Sequence, residues 1–255
     1  MTELIISNHK GGVTKTQTVI ELSYFFMQAG SKVLVVDLDP QANVSDVLLV
    51  GNRLIGRTLP DILISEDEVR PEDIMTRSFG PGLSLDYICS SIKACRIESR
   101  ITASPKEYII GDALKNVKHM YDYIIIDTPP SSELLGLSAL VDADEVIIPV
   151  TPDKLSIDGV ASMMQVVKTV QNNPRLNPKL KVRGILVTRF RTTLSMLRGL
   201  KQLKDTYGDI VVATPIRECT RVQQAVECCR PVLDYDPACN ASKDYLKAFD
   251  QLSGR

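Results

Sequence analysis

Seven residues near the start of the chain have the types and spacing of a phosphate-binding loop. The segment Lys10–Thr16, KGGVTKT, lies between the apolar run Leu4–Ile6 and a segment with helical periodicity. A strand that enters a tight glycine-containing loop directs backbone N–H groups, and the next helix N-terminus, at one point where oxyanions collect. A lysine such as Lys15 reaches the β and γ phosphates, and the Thr16 hydroxyl ligates Mg²⁺. The loop therefore predicts a nucleoside triphosphate site.

One feature of this loop departs from the strict pattern G-x-x-x-x-G-K-[ST]. His9 and Thr14 occupy the two glycine positions. A glycine before the lysine lets the backbone approach a phosphate without a Cβ atom, so we expect Thr14 to weaken or slow the site. The assignment therefore depends on further segments of the chain.

Two acidic segments follow apolar runs that have the character of buried strands. The first, Val35–Gln41, reads VVDLDPQ, and the second, Ile124–Pro130, reads IIIDTPP. Ligands collect at the carboxyl ends of parallel strands, so Asp37, Asp39 and Asp127 are expected beside the loop. An aspartate that ends a strand is often only a cap, but one between three isoleucines and two prolines favours a Mg²⁺ role for Asp127.

Together these segments resemble the deviant Walker A ATPases of the ParA and MinD type, closest to short ParA/Soj-like partition ATPases. The resemblance continues through residues 143–150 and 231–236, over nearly the whole chain. It implies that Lys10 reaches across a dimer interface to the partner's nucleotide. It also implies that Asp39 orients or deprotonates the attacking water, while Asp37 supports the loop or the metal shell. Positioning and charge stabilisation supply most of the catalysis in phosphoryl transfer.

The resemblance also implies a set of ligand contacts. The base is expected at Thr188 and at the backbone near Ile216 and Arg217, although an ordinary β-branched strand residue is an equal interpretation of Thr188. Relatives commonly have Ile-Pro-Arg where this chain has IRE, and Gln17 replaces a usual serine or threonine. The implied catalytic residues are Lys10, Lys15 and Asp39, and the implied Mg²⁺ ligands are Thr16, Asp39 and Asp127. The implied ATP contacts are Lys10, Gly11, Gly12, Val13, Thr14, Lys15, Thr16, Gln17, Thr188, Ile216 and Arg217.

The composition of the whole chain narrows the class of protein. A chain of 255 residues with 44% hydrophobic content can bury one large core, and no segment has the composition of a linker. We therefore expect a single domain over residues 1–255. The chain begins without a basic leader, and no apolar run approaches the ~20 residues that cross a bilayer, which predicts a cytoplasmic protein without membrane contact. The six cysteines contain no C-x-x-C pair and are expected to be reduced structural thiols.

Alternating apolar runs and helix-period segments predict an α/β fold, a mostly parallel twisted sheet with helices on both faces. Residues 51–81 are less regular and acidic, and a solvated surface is expected there. The predicted strands are Leu4–Ser7, Val33–Asp37, Leu83–Ile88, Tyr123–Asp127, Glu145–Val150, Val182–Thr188 and Ile210–Ala213. The predicted helices are Thr16–Gln28, Pro105–His119, Glu133–Val141, Ile157–Gln171, Leu194–Thr206, Arg221–Cys228 and Ser242–Leu252.

The segment 175–221 carries a local excess of positive charge in a chain whose net charge is −1. It contains eleven Lys or Arg and three acids. Such a segment is typical of a surface that contacts the phosphate backbone of DNA without reading bases, although a solvated helix face is a competing explanation. The best DNA-binding candidates are Arg189, Arg217 and Arg221.

These features lead to one functional hypothesis with two alternatives. The resemblance implies an ATP hydrolase, slow and partner-stimulated, that forms ATP-dependent homodimers on nonspecific DNA and partitions plasmid or chromosomal DNA. Its expected location is the nucleoid, and its expected partner is a ParB-like centromere-binding protein or a cargo adaptor. The alternatives are the same switch positioning another cellular cargo, and a nucleotide-dependent binding module with negligible turnover.

Overall fold

The computed structural model describes residues 1–50, 53–102, 105–130 and 133–254, and these form one sheet of seven strands. The sheet order is β3-β4-β2-β5-β1-β6-β7, in which only β3 and β4 pair antiparallel. The strands are β1 (Thr2–Ile6), β2 (Val33–Asp37), β3 (Met75–Gly80), β4 (Leu83–Ile88), β5 (Tyr123–Asp127), β6 (Glu145–Val150) and β7 (Lys181–Val187).

Helices cover both faces of this sheet, as predicted. Residues from α3 to α8 pack on one face, and residues from α1, α2 and α9 to α11 pack on the other. The helices are α1 (Lys15–Gln28), α2 (Asn43–Leu49), α3 (Leu59–Ile64), α4 (Ile97–Arg100), α5 (Ile109–Leu114), α6 (Glu133–Asp142), α7 (Lys154–Asn172), α8 (Leu194–Tyr207), α9 (Thr220–Glu227), α10 (Val232–Tyr235) and α11 (Asn240–Ser253). The α/β class is thereby confirmed.

The central strands are apolar along their whole length because both of their faces are covered. In β5, Ile124 and Ile126 pack in the core on one face, whereas Ile125 packs in the core on the other. All three are fully buried. A strand buried on both faces has an almost continuous apolar run, which is why the bounds of β2, β5 and β6 match the prediction.

The strand register brings the predicted site to one edge of the sheet. Strand β5 lies between β1 and β2, and Asp127 is the register partner of both Ile6 and Asp37. Because all three strands are parallel, the segments that follow Ile6, Asp37 and Asp127 leave the sheet side by side. The loop before α1 therefore lies next to both acidic segments.

Strand β3 was not predicted. Arg77 and Phe79 lie on its more buried face, and the guanidinium of Arg77 is 4.5 Å from the centre of the Phe79 ring. A charged residue on the inner face of an edge strand hides the alternation of apolar and polar residues by which strands are recognised.

The expectation of a solvated surface over residues 51–81 is wrong for a large part of the segment. The N–H and hydroxyl groups of Thr58 donate to the Asp61 carboxylate (3.1 and 2.6 Å) and cap α3, whose apolar side is buried. Asp73 is 2% exposed and accepts from Arg57 (Nη2 to Oδ2, 2.7 Å). These acids cap and pair within the fold, so their number does not indicate solvation.

The predicted helix Pro105–His119 is divided into α5 and two single turns of 3-10 helix, Lys106–Tyr108 and Lys118–Met120. Tertiary hydrogen bonds replace helical ones at both ends of α5. The Ala113 carbonyl accepts from the Val69 N–H (2.8 Å), and the Ile110 N–H donates to the Ser138 hydroxyl (3.0 Å). Periodicity alone does not reveal such partners.

The segment Ile210–Ala213 lies beside β7 without forming the predicted strand. The Val212 N–H donates to the carbonyl of Ile185 (3.0 Å), and the next N–H bond to β7 comes from Ile216. Ile210 ends a turn of 3-10 helix, Gly208–Ile210, and Val211 forms only an isolated bridge with Ile185, so no strand develops over this segment. Among the helices of the described residues, none combines the length and apolar character needed to cross a membrane.

Two helical glycines provide a matched test of this packing. A Cβ at Gly199 of α8 would lie 2.2 Å from the carbonyl oxygen of Pro152, whereas a Cβ at Gly136 of α6 meets no atom within 4 Å. Gly199→Ala should therefore lower the free energy of unfolding by about 2 kcal/mol through overpacking. Gly136→Ala should raise it by about 0.5–1 kcal/mol, because alanine favours helix. Urea unfolding of both variants checks the prediction, which equal effects would contradict.

Candidate functional site

The loop between β1 and α1 is held by the side chain of Asn8, which is 1% exposed. Its Nδ2 donates to the Pro149 carbonyl at the end of β6 (2.8 Å), and its Oδ1 accepts from the Lys10 N–H (3.0 Å). A Cβ at Gly159 of α7 would come within 3.2 Å of Asn8 Oδ1. Asn8 therefore fixes the first half of the loop against β6 and α7.

The ammonium of Lys15 lies inside the loop. Its Nζ donates to the carbonyls of Asn8 (3.1 Å) and Lys10 (3.3 Å), and the residue is 7% exposed. Burial lowers the pKa of Lys15, and the charges of Asp127 and Asp39 oppose this change. The cation adds to the positive potential of the α1 N-terminus at the point that the loop surrounds.

The backbone of the loop leaves space where phosphates would approach. A Cβ at Gly11 or Gly12 meets no atom within 4 Å, and Gly12 has φ 76°. Thr14 has φ 64°, the same left-handed region, in spite of its branched Cβ. A threonine in place of glycine at this position therefore costs about 1–3 kcal/mol of backbone strain. The Thr14 carbonyl accepts from the N–H and hydroxyl of Thr18 (both 2.9 Å), which fixes this conformation.

Thr16 and Asp127 meet where β5 ends and α1 begins. The Thr16 hydroxyl donates to Asp127 Oδ2 (2.8 Å). The other oxygen, Oδ1, is buried and has no hydrogen-bond partner in the part of the chain that the structure describes. Burial raises the pKa of Asp127 well above its usual range, and the charge of Asp37 raises it further. A hydroxyl and a carboxylate oxygen without a partner are ligands that Mg²⁺ accepts, so the residues present fit this ion.

Asp37 and Asp39 have different hydrogen-bond environments. Asp37 Oδ1 accepts from the Asp39 N–H (3.0 Å), and its Oδ2 accepts from the N–H and hydroxyl of Ser45 (2.9 and 2.7 Å). Burial raises the pKa of Asp37 to about 6, although the Ser45 hydrogen bonds lower it. Asp39 Oδ1 accepts from the Gln41 N–H (2.8 Å). Asp37 thus holds the loop after β2, which is one of the two roles expected for it.

A buried network connects the first turn of α1 to the C-terminal part of the fold. Gln17 Nε2 donates to Glu21 Oε1, one turn later on the same helix face. Glu21 is fully buried and also accepts from the N–H groups of Val232 (2.6 Å) and Leu233 (3.1 Å) at the start of α10. Burial raises the pKa of Glu21 to about 7, and these hydrogen bonds oppose the increase.

Two cavities lie on either side of the loop. The larger, about 620 Å³, opens toward β7, and the smaller, about 430 Å³, opens toward α2. Three residues line both cavities, namely Thr14, Gln17 and Val226. The three residues expected to contact the base, Thr188, Ile216 and Arg217, line the larger one. The Thr188 hydroxyl donates to the Val13 carbonyl (3.3 Å), so this residue also connects β7 to the loop.

The three arginines predicted to contact DNA all form ion pairs. Arg217 binds Asp244 bidentately, with Nε and Nη2 each 2.7 Å from a carboxylate oxygen, and the Asp244 side chain is 6% exposed. Arg189 pairs with Glu218 (3.2 Å), and Arg221 pairs with an aspartate that follows α10 (3.2 Å). All three arginine side chains are about half exposed, but only the acid bound by Arg217 is nearly buried, which favours a structural role for that pair.

The basic residues of segment 175–221 do not share one surface. Arg183 lies near the start of β7 and pairs with Glu145 of β6, whereas Arg189 follows the end of β7 at the nucleotide edge. Within the described ranges, the exposed basic residues of α8 that form no ion pair are Arg198, Lys201 and Lys204, and Asp205 is the exposed acid of the same helix. Helix α8 is therefore the strongest candidate for a cationic surface beside the site.

Known proteins share this arrangement over the whole chain. A family model described as an AAA domain matches residues 1–182. The chain is 32% identical over 255 residues to the chromosome partitioning protein ParA of Caulobacter vibrioides, covering 99% of this chain and 94% of the relative. It is 33% identical over 252 residues to the sporulation initiation inhibitor protein Soj of Bacillus subtilis, covering 98% and 97%. The chain belongs to the ParA/Soj family of partition ATPases.

A solved structure agrees with this family assignment. The cobyrinic acid a,c-diamide synthase from Mycobacterium smegmatis with bound ADP and magnesium superimposes with a TM-score of 0.80 at 27% identity. The match covers 100% of this chain and 96% of the synthase. The resemblance that the sequence motifs indicated and the fold class of a ParA/Soj ATPase are both confirmed.

Three residues that hold this ParA/Soj-type site were not predicted. Asn8 precedes the loop by two positions, and an asparagine there is a signal, because its side chain bonds readily to nearby backbone groups. Glu21 interrupts the apolar residues of α1, and a lone acid within a buried helix signals an internal partner. Ser45 has no such signal, because a serine is common in helices and its partners Asp37 and Ser90 are distant in sequence.

Two asparagines test the contribution of the loop anchor. Asn8→Ala removes the buried 2.8 Å bond to the Pro149 carbonyl and the partly buried 3.0 Å bond to the Lys10 N–H, whereas Asn173→Ala removes a 3.0 Å bond to the Arg175 N–H at an exposed turn. Asn8→Ala should lower the free energy of unfolding by about 2 kcal/mol, because it leaves buried groups unpaired. Asn173→Ala should change it by less than about 0.5 kcal/mol. Denaturant unfolding measures both, and a neutral Asn8→Ala would show that water replaces the anchor.

Proposed function

We propose that this chain binds and slowly hydrolyses ATP, dimerises when ATP is bound, and then binds DNA without sequence preference to partition plasmid or chromosomal DNA. The observation that carries the proposal is the buried carboxylate of Asp127. One of its oxygens accepts from the Thr16 hydroxyl, and the other has no hydrogen-bond partner among the described residues. Its negative charge also opposes the lowering of the Lys15 pKa by burial. A hydroxyl, a carboxylate and an ammonium at a helix N-terminus suit a triphosphate with Mg²⁺. The likeness to ParA and Soj supports the partition role.

The ligand roles follow from this arrangement. Thr16 and Asp127 would hold Mg²⁺, which supplies positive charge at the phosphates when bound, and Asp39 is a further candidate ligand. When a nucleotide binds, the Lys15 ammonium would donate to phosphate oxygens in place of the carbonyls of Asn8 and Lys10. The N–H groups around Gly11 and Gly12 have open space in front of them and would donate to the phosphates.

We assign the orientation of the attacking water to Asp39. Its carboxylate is 8% exposed, and one oxygen accepts from the Gln41 N–H while the other makes no bond to that turn. Asp37 does not compete for this role, because Asp39 and Ser45 donate to both of its oxygens. One positioned carboxylate is sufficient, because phosphoryl transfer depends mainly on geometry and charge stabilisation.

Lys10 is proposed to act on the nucleotide of a second copy. Its backbone is fixed by Asn8 and by the Lys15 ammonium, so the base of the side chain has a defined position. Its own ammonium forms no ion pair within the residues that the structure describes. A half-buried lysine with a fixed backbone and an unpaired charge suits a contact made across an interface.

Alanine substitution of the two lysines of the loop should affect different steps, ATP binding in one variant and dimerisation in the other. Lys15→Ala should abolish binding of ATP with Mg²⁺, because the loop loses the cation at the α1 N-terminus. Lys10→Ala should retain binding and lose ATP-dependent dimerisation. Calorimetry measures the first effect and light scattering the second, and each variant is the control for the other. Normal ATP-dependent dimerisation of Lys10→Ala would remove this residue from the interface.

The proposed DNA surface includes Arg189, Arg221 and the exposed basic residues of α8. These side chains lie at the carboxyl edge of the sheet or on the helix that starts there, beside the nucleotide cavities. A dimer presents two such surfaces, so DNA affinity should require ATP and Mg²⁺. Contacts to phosphates release counterions, and therefore the affinity should fall steeply as salt increases.

Removing three of these charges tests the surface. Combined replacement of Arg189, Arg198 and Arg221 by alanine should weaken binding to every DNA sequence, because each phosphate contact that is lost flattens the log–log salt slope by about 0.9. Lys179→Ala is the control, because this exposed lysine precedes β7 at the opposite edge. Fluorescence anisotropy at several salt concentrations measures both. Unchanged affinity of the triple variant at matched salt would mean that the charges only solvate the helix.

The remaining parts of the proposal concern partners and location. We propose a single ATPase domain over residues 1–255, homodimeric, cytoplasmic and nucleoid-associated, with turnover stimulated by a ParB-like protein or a cargo adaptor. Phosphate release with and without DNA separates this enzyme from a binding module with negligible turnover. The strained Thr14 backbone is the observation that favours slow turnover over fast.

A further inference from the structure

Gln17 is placed to contact a bound nucleotide, but only one end of its side-chain amide is available. The residue lines both cavities beside the loop and directly follows Thr16 in the first turn of α1. Its Nε2 group is turned away from the cavities toward Glu21. The amide therefore directs its oxygen, an acceptor, to the side where phosphate oxygens would approach. The Gln17 amide oxygen and a phosphate oxygen are both hydrogen-bond acceptors and repel each other, so this orientation of the amide disfavours the binding of phosphate.

The orientation of Gln17 is imposed by the charge state of Glu21. Glu21 accepts three hydrogen bonds, from Gln17 and from the N–H groups of Val232 and Leu233, as an ionised carboxylate does. A protonated Glu21 would have a hydroxyl to donate. It would then donate to the Gln17 oxygen, the amide would turn over, and Nε2 would face the cavities as a donor.

The surroundings of Glu21 allow this change near neutral pH. Burial raises the pKa of Glu21 to about 7, against the three hydrogen bonds and with a small further increase from Asp234 of α10. Burial raises the pKa of Tyr245 of α11 strongly and the charge of Glu21 raises it further, so the Tyr245 phenol stays neutral. Asp234 forms an ion pair with Arg230 (Nε to Oδ2, 2.6 Å).

We propose that Glu21 is a positioning residue which, by turning the Gln17 amide, makes affinity for the phosphates of a nucleotide increase as pH falls. This inference rests on the proposed function, because it takes the loop to be a nucleotide site. It deepens that function by adding a regulatory input. The backbone of neither residue needs to move, because the change consists of one proton binding to Glu21 and a rotation of the Gln17 side-chain amide.

Two substitutions isolate the effect. Glu21→Gln keeps an oxygen to accept from the Leu233 N–H and supplies an NH₂ group in place of Oε1 that donates to the Gln17 oxygen, as a protonated Glu21 would, although the Val232 N–H loses its acceptor. Gln17→Leu retains the approximate volume and removes the amide. Calorimetry with ADP and Mg²⁺ at about pH 6 and about pH 8 gives affinities without turnover, and circular dichroism verifies that each variant is folded.

At about pH 8 Glu21→Gln should bind ADP about tenfold more tightly than the parent, the ratio expected for one additional hydrogen bond to a charged group. The ratio should approach one at about pH 6. Gln17→Leu should show only the pH dependence that Glu21→Gln retains, which belongs to the nucleotide and the other acids. An equal ratio at both pH values overturns the inference, and so does a Gln17→Leu profile that matches the parent. Failure of the parent to bind ADP at either pH would instead overturn the proposed function.

Discussion

Strand β5 lies between β1 and β2, and its parallel register with both places Asp127 opposite Ile6 and opposite Asp37. Every other feature of the site depends on this pairing. The phosphate loop leaves β1, the second acidic segment leaves β2, and both meet Asp127 because neighbouring parallel strands end together. The bond from Thr16 to Asp127 then connects the first turn of α1 to the centre of the sheet.

The same geometry brings three ionisable side chains, those of Lys15, Asp37 and Asp127, together in a part of the site that is buried from water. Burial raises the pKa of Asp37 and Asp127 and lowers that of Lys15, so each group is less stable in its charged form than in solvent. Ser45 offsets part of this cost at Asp37 by donating two hydrogen bonds. At Asp127 only one carboxylate oxygen, Oδ2, accepts a hydrogen bond, from the Thr16 hydroxyl, so the cost of burying its charge is only partly offset. Sites that are built to bind a charged ligand commonly retain such a deficit, and the ligand removes it.

The sequence predicted the parts of the fold that repeat a simple rule. Strands buried on both faces, such as Tyr123–Asp127, are apolar runs with clear ends, and the loop at Lys10–Thr16 follows one of them directly. Elements held by distant partners were missed or misjudged. Helix α5 is short because Val69 and Ser138 take its backbone groups, and the predicted strand Ile210–Ala213 does not form because its first residue ends a turn of 3-10 helix.

Residue roles in the site were harder to predict than residue positions. Asp37 and Asp39 are both acids after one strand, and only their hydrogen bonds distinguish a structural carboxylate from an available one. Arg217 and Arg221 have the same charge, but only Arg217 is held in a bidentate pair with a nearly buried acid, Asp244. Sequence gives the type of each side chain, whereas its partners depend on contacts across the fold.

The link between Glu21 and α10 also has a consequence for the order in which the molecule is built. Glu21 belongs to the helix that directly follows the phosphate loop, but Val232, which donates a backbone N–H to it, is 211 positions later in the chain. Phe25 likewise packs against Phe249, with ring centres 5.5 Å apart. Contacts of such high sequence separation form late, because the intervening chain must be ordered first. A nascent chain therefore has its phosphate loop long before it has the backbone N–H groups that bind Glu21 in that loop's helix.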